Sequence, residues 1–260
     1  MPLTLIDIKF ALRLFIWGVR DRCLGSKLGL VWVVANPILM LSIFTYVFGF
    51  VFKSKLPGSE RSLDYVVWLI SGYGPWLAIS ESLSSGTSAV TSNTSLVKNI
   101  SFKTELLPIS YSLMGIIPLV IATFFVLLLQ IFLPAHGYSG LWSVIPLCTS
   151  QFLLTAGIAL FLSSLNVFIR DVALVLPNIL IMLLFTSPIF FPIESFPLSI
   201  RWLVMYNPFY LICDGYRQAV MFDTFLALPS LAYLFILSGG IFLLGLSFFK
   251  KLKTHFDSRI

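Results

Sequence analysis

A chain of 260 residues that is 58% hydrophobic and 11% charged, with a mean hydropathy of +0.97, is not a soluble globular domain, which carries roughly 25% charge. Its net charge of +6 requires no nucleic-acid partner, because basic residues gather on the cytoplasmic loops of membrane proteins. Three cysteines, Cys23, Cys148 and Cys213, lie too far apart for a metal motif or a disulfide framework and read as small buried or interfacial hydrophobes.

In chain order, residues 3–19 predict a helix too charged to span. Lys9, Arg13 and Arg20 share one stripe while Leu5, Ile8, Leu12, Phe15 and Ile16 supply apolar surface elsewhere. That pattern suits a helix lying in the cytoplasmic interface, its cations toward anionic headgroups; a solvated juxtamembrane arm is the alternative. Arg20, Asp21, Arg22 and Lys27 then form a charged loop, broken by Gly25 and Gly29. The uncharged run that follows gives a first span at about 30–52, long enough for a hydrocarbon core of roughly 30 Å.

After a short external loop, a second span covers 65–81. It contains Gly72, Gly74 and Pro75 and stops at Glu81, which predicts a broken helix facing protein or a watery path. The Ser-, Thr- and Asn-rich stretch 82–103 reads as a cytoplasmic connector. From Leu106 to Ile169 there is no Asp, Glu, Lys or Arg, so a hairpin of spans at 106–133 and 142–168 is expected, with its external turn at Pro134–Gly140. Arg170 and Asp171 make a tight cytoplasmic turn, and a fifth span covers 172–193.

Residues 194–223 carry Pro197, Arg201, Pro208, Asp214 and Arg217 and cannot span, yet they are too apolar for a solvated loop. Two short helices dipping into the outer leaflet, shielded by protein, reconcile the two facts. A sixth span at 226–249 leads into a basic tail. Of the 17 Lys and Arg, only Lys53, Lys55, Arg61, Arg201 and Arg217 fall on segments assigned outside, which places both termini in the cytoplasm. The fold expected is an all-α integral membrane protein, a single transmembrane domain over 1–260. It has six transmembrane helices, an N-terminal amphipathic interface helix, and re-entrant periplasmic helices before the last span.

The chain has little catalytic equipment. It has no phosphate loop, no metal-binding cluster, no nucleophile elbow and two isolated histidines, His136 and His255. No catalytic residue, no metal site and no cofactor of its own is expected, so work against a gradient must draw energy from another subunit. Carboxylates fall at span ends or in loops, which disfavours a proton-driven transporter. The cations Arg20, Arg22 and Lys27 could hold a lipid phosphate, guanidinium groups matching phosphate bidentately; plain anchoring is the alternative. With 25 Phe, 9 Tyr and 6 Trp, most aromatics belong to lipid-facing surfaces and interface belts. If the cargo is a sugar polymer, ring faces could stack against it. The candidates are Phe44, Tyr46, Phe48, Tyr73 and Trp76 within the spans, and Tyr206, Phe209 and Tyr210 outside.

DRCLGSKLGLVWVVANPI, SGYGPWLAISESL, LNVFIRDV and YNPFYLICDGYRQAV, in that order, resemble the membrane subunit of bacterial ABC polysaccharide exporters of the O-antigen type, related to capsule and teichoic-acid permeases. One departure is Asp21-Arg22-Cys23, where relatives often have an aromatic beside the arginine. The resemblance implies a homodimer of six-span subunits with two copies of a separate cytoplasmic ATPase, which would use Mg-ATP. It implies export of undecaprenyl-pyrophosphate-linked polysaccharide across the bacterial inner membrane. It also implies that the loop of Arg20 and Arg22 meets the pyrophosphate. The connector with Lys98 and Lys103, and the Arg170–Asp171 turn, would face the ATPase, and 194–223 would form a periplasmic gate. The rival readings are a related ABC permease for a drug or small lipid, a polytopic transferase acting on lipid-linked substrates, and a passive channel.

Overall fold

The computed structural model describes residues 5–21, 29–56, 61–99, 102–132, 137 and 139–256. Among them it contains helices and turns and no strand. Helix α1 (Leu5–Asp21) is followed by α2 (Leu30–Phe44), which continues as a π-helical stretch, Thr45–Val51. Next come α3 (Ser62–Ser92) and the short α4 (Thr94–Asn99). Helix α5 (Leu106–Ser112) runs through a 3-10 turn, Leu113–Gly115, into α6 (Ile116–Gln130). A 3-10 turn at Ser139–Ser143 opens α7 (Val144–Phe168), and α8 (Asp171–Thr186) returns. Two short helices, α9 (Leu198–Met205) and α10 (Pro208–Val220), precede α11 (Leu228–Lys253).

Among the described residues, four stretches are long and apolar enough to cross a membrane: Val31–Val51, Leu106–Gln130, Ser139–Phe168 and Leu228–Lys253. Helix α8 is a shorter apolar helix. Helix α3 has the length, 31 residues, but carries Asp64, Glu81 and many serines.

Helix α3 is the centre of the bundle, packed by α5, α6, α7 and α10. Tyr65 through Trp76 is buried without interruption. The expected break at Gly72–Pro75 is absent: the helix runs unbroken from Ser62 to Ser92, well beyond residue 81. Proline removes one backbone hydrogen bond, but tertiary packing supplies most helical stability, and here neighbours close on every side. Nor does Glu81 end the helix, since its carboxylate accepts a hydrogen bond from Ser85 Oγ one turn on, at 2.7 Å. The connector therefore begins at Asn93, whose Nδ2 donates to the Ala89 carbonyl at 2.7 Å and holds the last turn.

Small residues set the closest approaches, as expected where helices meet in lipid. A Cβ added at Gly245 of α11 would lie 2.2 Å from the Gly157 carbonyl oxygen of α7. Helix α1 lies against α5, burying Leu14, while Lys9, Arg13 and Arg20 are exposed beside exposed Ile6, Leu12 and Trp17. The helix ends at Asp21 rather than at the expected residue 19; residues 3 and 4 of the expected helix lie outside the described residues. Helix α8 stops at Thr186 rather than 193, because Pro188 follows and the residue before a proline is pushed out of the helical region; Ser187 has ψ 140.

Candidate functional site

The turn Ser187–Phe191, between α8 and α9, has non-helical backbone, with Ser187 through Phe190 buried in the bundle, so its polar groups need partners within the protein. Three residues from distant parts of the chain supply them. Arg217 of α10, 1% exposed, donates from Nη1 to the Pro188 carbonyl at 3.1 Å and from Nη2 to the Ile189 carbonyl. Its Nε donates to the Trp68 carbonyl of α3 at 3.2 Å. Tyr65 donates from its hydroxyl to the Phe190 carbonyl at 2.7 Å. Asn207 Nδ2 donates to Ser187 Oγ at 2.9 Å.

The guanidinium lies 3.9 Å above the centre of the Trp68 ring, where the negative ring face attracts it. Its room comes from Gly72: a Cβ there would lie 2.4 Å from the guanidinium carbon. The sequence YNPF explains the start of α10. Asn207 is the N-cap and accepts from the Phe209 amide at 3.0 Å, and Pro208 stands at the first helical position, where no N–H is needed. At the other end of α10, Asp223, at φ 50, accepts from the Gly140 amide at 2.6 Å and from Ser139 Oγ at 3.1 Å. This ties the α6–α7 turn to the α10–α11 turn. Arg217, which sequence analysis places among external cations, is therefore a buried fastener. The signal that could have found it is Gly72 paired with the one arginine in an otherwise uncharged stretch of α10 after Asp214.

The expected channel aromatics divide. Phe44, Phe48 and Tyr73 cluster with Phe190: Phe44 stacks on it at 5.2 Å between centroids and Tyr73 lies 5.5 Å away. Trp76, buried, meets Phe209 edge-on at 5.9 Å. Tyr46 points away, 62% exposed, beside Phe50. Of the outer residues, Tyr206 meets Tyr233 edge-on, and the Tyr233 hydroxyl donates to the Tyr206 carbonyl at 3.0 Å. Tyr210 is half-buried beside the same turn-bearing core.

The opposite end of the bundle gathers α1, the α3–α5 connector, the α7–α8 turn and the end of α11. Lys103 pairs with Asp7 at 2.6 Å and Lys253 with Glu105 at 3.1 Å. Arg170, Asp171 and Lys98 are exposed there. Arg20 is exposed at the end of α1; Arg22 and Lys27 lie outside the described residues. Sequence analysis missed Asn166, 2% exposed. Its Nδ2 donates to Thr91 Oγ1 at 3.1 Å and to the Thr87 carbonyl at 3.3 Å, and its Oδ1 accepts from the Ala173 amide at 3.1 Å. One amide thus binds the end of α3 to the α7–α8 turn. Among the described residues, no three His, Cys, Asp or Glu side chains gather as a metal site would require.

The chain is similar over most of its length to curated transport proteins. An O-antigen export system permease protein RfbA of Klebsiella pneumoniae is 27% identical over 239 residues, covering 92% of this chain and 90% of its own. One from Myxococcus xanthus is 25% identical, covering 79% and 77%. The polysialic acid transport protein KpsM of Escherichia coli is 25% identical, covering 91% of each chain. The model of the ABC-2 type transporter family matches residues 12–221, from within α1 to the end of α10; the chain belongs to that family.

Proposed function

We propose that this chain is the channel-forming permease of an ATP-driven exporter that moves lipid-linked polysaccharide of the O-antigen type across the bacterial inner membrane. The observation that carries this reading is the likeness to O-antigen export permeases along nine-tenths of both chains. The helix order supports it. With α3 and α8 added to the four long apolar stretches, the chain makes six crossings. Both termini then lie on one side, which the distribution of Lys and Arg makes the cytoplasm. Helices α9 and α10 are re-entrant, and Tyr206, Phe209 and Tyr210 belong to a periplasmic gate.

The subunit works as a homodimer. The exposed apolar face of α2 supplies the surface for a second copy, with Phe44, Tyr46, Phe48, Tyr73 and Trp76 contributing to the aromatic side of the path. Two copies of a cytoplasmic ATPase, using Mg-ATP, sit against Lys98, Lys103, Arg170 and Asp171, and the basic loop of Arg20, Arg22 and Lys27 receives the undecaprenyl-pyrophosphate headgroup. The chain itself is not an enzyme. A second reading, an acidic capsule polymer as cargo, is favoured by the likeness to polysialic acid transport proteins.

The test is purification of the tagged chain in mild detergent with its genomic partners, followed by ATP hydrolysis measured with and without lipid-linked glycan. Co-purification of an ATPase stimulated by a neutral glycan is expected. Stimulation by an acidic polymer alone would favour the capsule reading, and purification without any ATPase would overturn both.

A further inference from the structure

Between α1, α3 and α5, at the end of the bundle that carries the α1 C-terminus, lies an open cleft of about 440 Å³, within the range of roughly 300–1,000 Å³ for small-molecule sites. Its floor is the last three turns of α3. Ser84, Ser88 and Ser92 recur every fourth residue along it, one helical face. Asn93 and Tyr111 close one side, hydrogen-bonded to each other at 3.0 Å.

These serines differ from the others on the same helix. The hydroxyls of Ser71, Ser82 and Ser85 are spent inside the protein, on the Trp68 carbonyl, the Ser112 carbonyl and the Glu81 carboxylate. Those of Ser84, Ser88 and Ser92 make no hydrogen bond among the described residues and face the cleft. Glu81 lines this cleft and also a second space of about 260 Å³ between α2, α3 and α6, where Trp32, Asn36 and Met40 stand. Hydroxyls that both donate and accept, a carboxylate acceptor, and an aromatic face further on are complementary to a polyol whose ring also has apolar faces.

We infer that this cleft is a binding site for sugar hydroxyls of the cargo, with Ser84, Ser88 and Ser92 as its rungs and Trp32 as its stacking face beyond Glu81; this rests on the polysaccharide reading given above. Each rung offers a weak bond that exchanges readily with water. The site therefore holds a glycan against the membrane without trapping it.

The test joins two measurements on the full complex. In the first, Ser88→Cys is labelled with a water-soluble maleimide, with the parent protein as background and Ser95→Cys, exposed on α4, as control. Lipid-linked glycan should slow labelling of S88C severalfold and leave S95C unchanged. Equal protection by the bare lipid pyrophosphate would assign the cleft to the headgroup and overturn the inference, as would no protection at all. In the second, the triple variant Ser84→Ala, Ser88→Ala, Ser92→Ala should raise the glycan concentration that half-stimulates ATP hydrolysis about tenfold, equivalent to about 1.4 kcal/mol, with the maximal rate kept. Glycan-stimulated hydrolysis indifferent to the triple variant would sink the cleft alone. Absence of any stimulated ATPase would sink the exporter reading with it.

Discussion

Helices α2 and α3 are neighbours in sequence and opposites in placement. In the stretch Val31–Val51 only Leu41 is buried, although the stretch is almost wholly apolar. Helix α3 carries glycines, serines, a proline and two carboxylates, and about two thirds of its residues are buried in the bundle. In water the order would be reversed. In a bilayer the surrounding solvent is as apolar as leucine, so hydrophobicity gives no reason to be inside. Small residues that allow close backbone approach, and polar groups that need partners, occupy the interior instead. The contrast shows what to look for in such a chain: its centre is its least apolar long helix.

The sharpest way to break that centre is Arg217→Met. The change strands the Pro188 and Ile189 carbonyls inside the bundle, and unsatisfied buried groups cost about 1–3 kcal/mol each. A loss of about 3–5 kcal/mol is expected, read as failure to yield monodisperse protein in detergent. Arg217→Lys, with one compact ammonium in place of a fork, should recover only part of it.

Next in size is Gly157→Val. It forces α7 from α11 at their closest crossing, and overpacking of this kind costs about 1–3 kcal/mol. A thermal transition in detergent lowered by several degrees is the expected reading. Asn207→Ala removes the cap of α10 and the bond to Ser187, for about 1 kcal/mol. Asn207→Asp, which keeps the capping oxygen, should lose less in the same measurement.

On α2 and the π-helical stretch that continues it, the expectation inverts. Phe50→Ala and Trp32→Ala, both at exposed positions, should leave the thermal transition within about 0.5 kcal/mol of the parent. If that face meets a second copy, Phe50→Ala should instead raise the fraction of monomer in crosslinking. A large loss of stability in the isolated subunit would show that α2 belongs to the core after all.

Much of the helical outline was legible because charge is so costly in lipid. The uncharged stretch from Leu106 to Ile169 had to fold as a hairpin, and the helices through α5–α6 and α7 fall within it. The errors have the same root. Glu81 was read as a boundary because a carboxylate in a span is expensive, but Ser85 supplies a local donor and the helix continues for eleven residues. Arg217 was assigned to an external segment by the same rule; what that assignment leaves out is its burial, where three carbonyls and an indole face replace its water.

Pairings across long separations are invisible to periodicity. Tyr65 with the Phe190 carbonyl and Asn166 with Thr87 and Thr91 join residues far apart in the chain, and no local pattern announces them. The positions of Arg20, Lys98, Lys103, Arg170 and Asp171 at one end of the bundle follow from helix order alone. The burial of Tyr73 and Trp76 does not, since an aromatic in a span faces lipid as readily as protein.

Helix α3 is fastened twice, by Asn166 at Thr87 and Thr91 and by Arg217 at the carbonyl of Trp68. Those points are separated by roughly 29–35 Å of helix at about 1.5 Å per residue. A strut pinned at both ends passes on displacement rather than absorbing it: tilting the α7–α8 turn by a few degrees swings the far end sideways by an ångström or two. The bundle thus has a mechanical linkage between its two faces that needs no ion, no proton and no change of charge along the way.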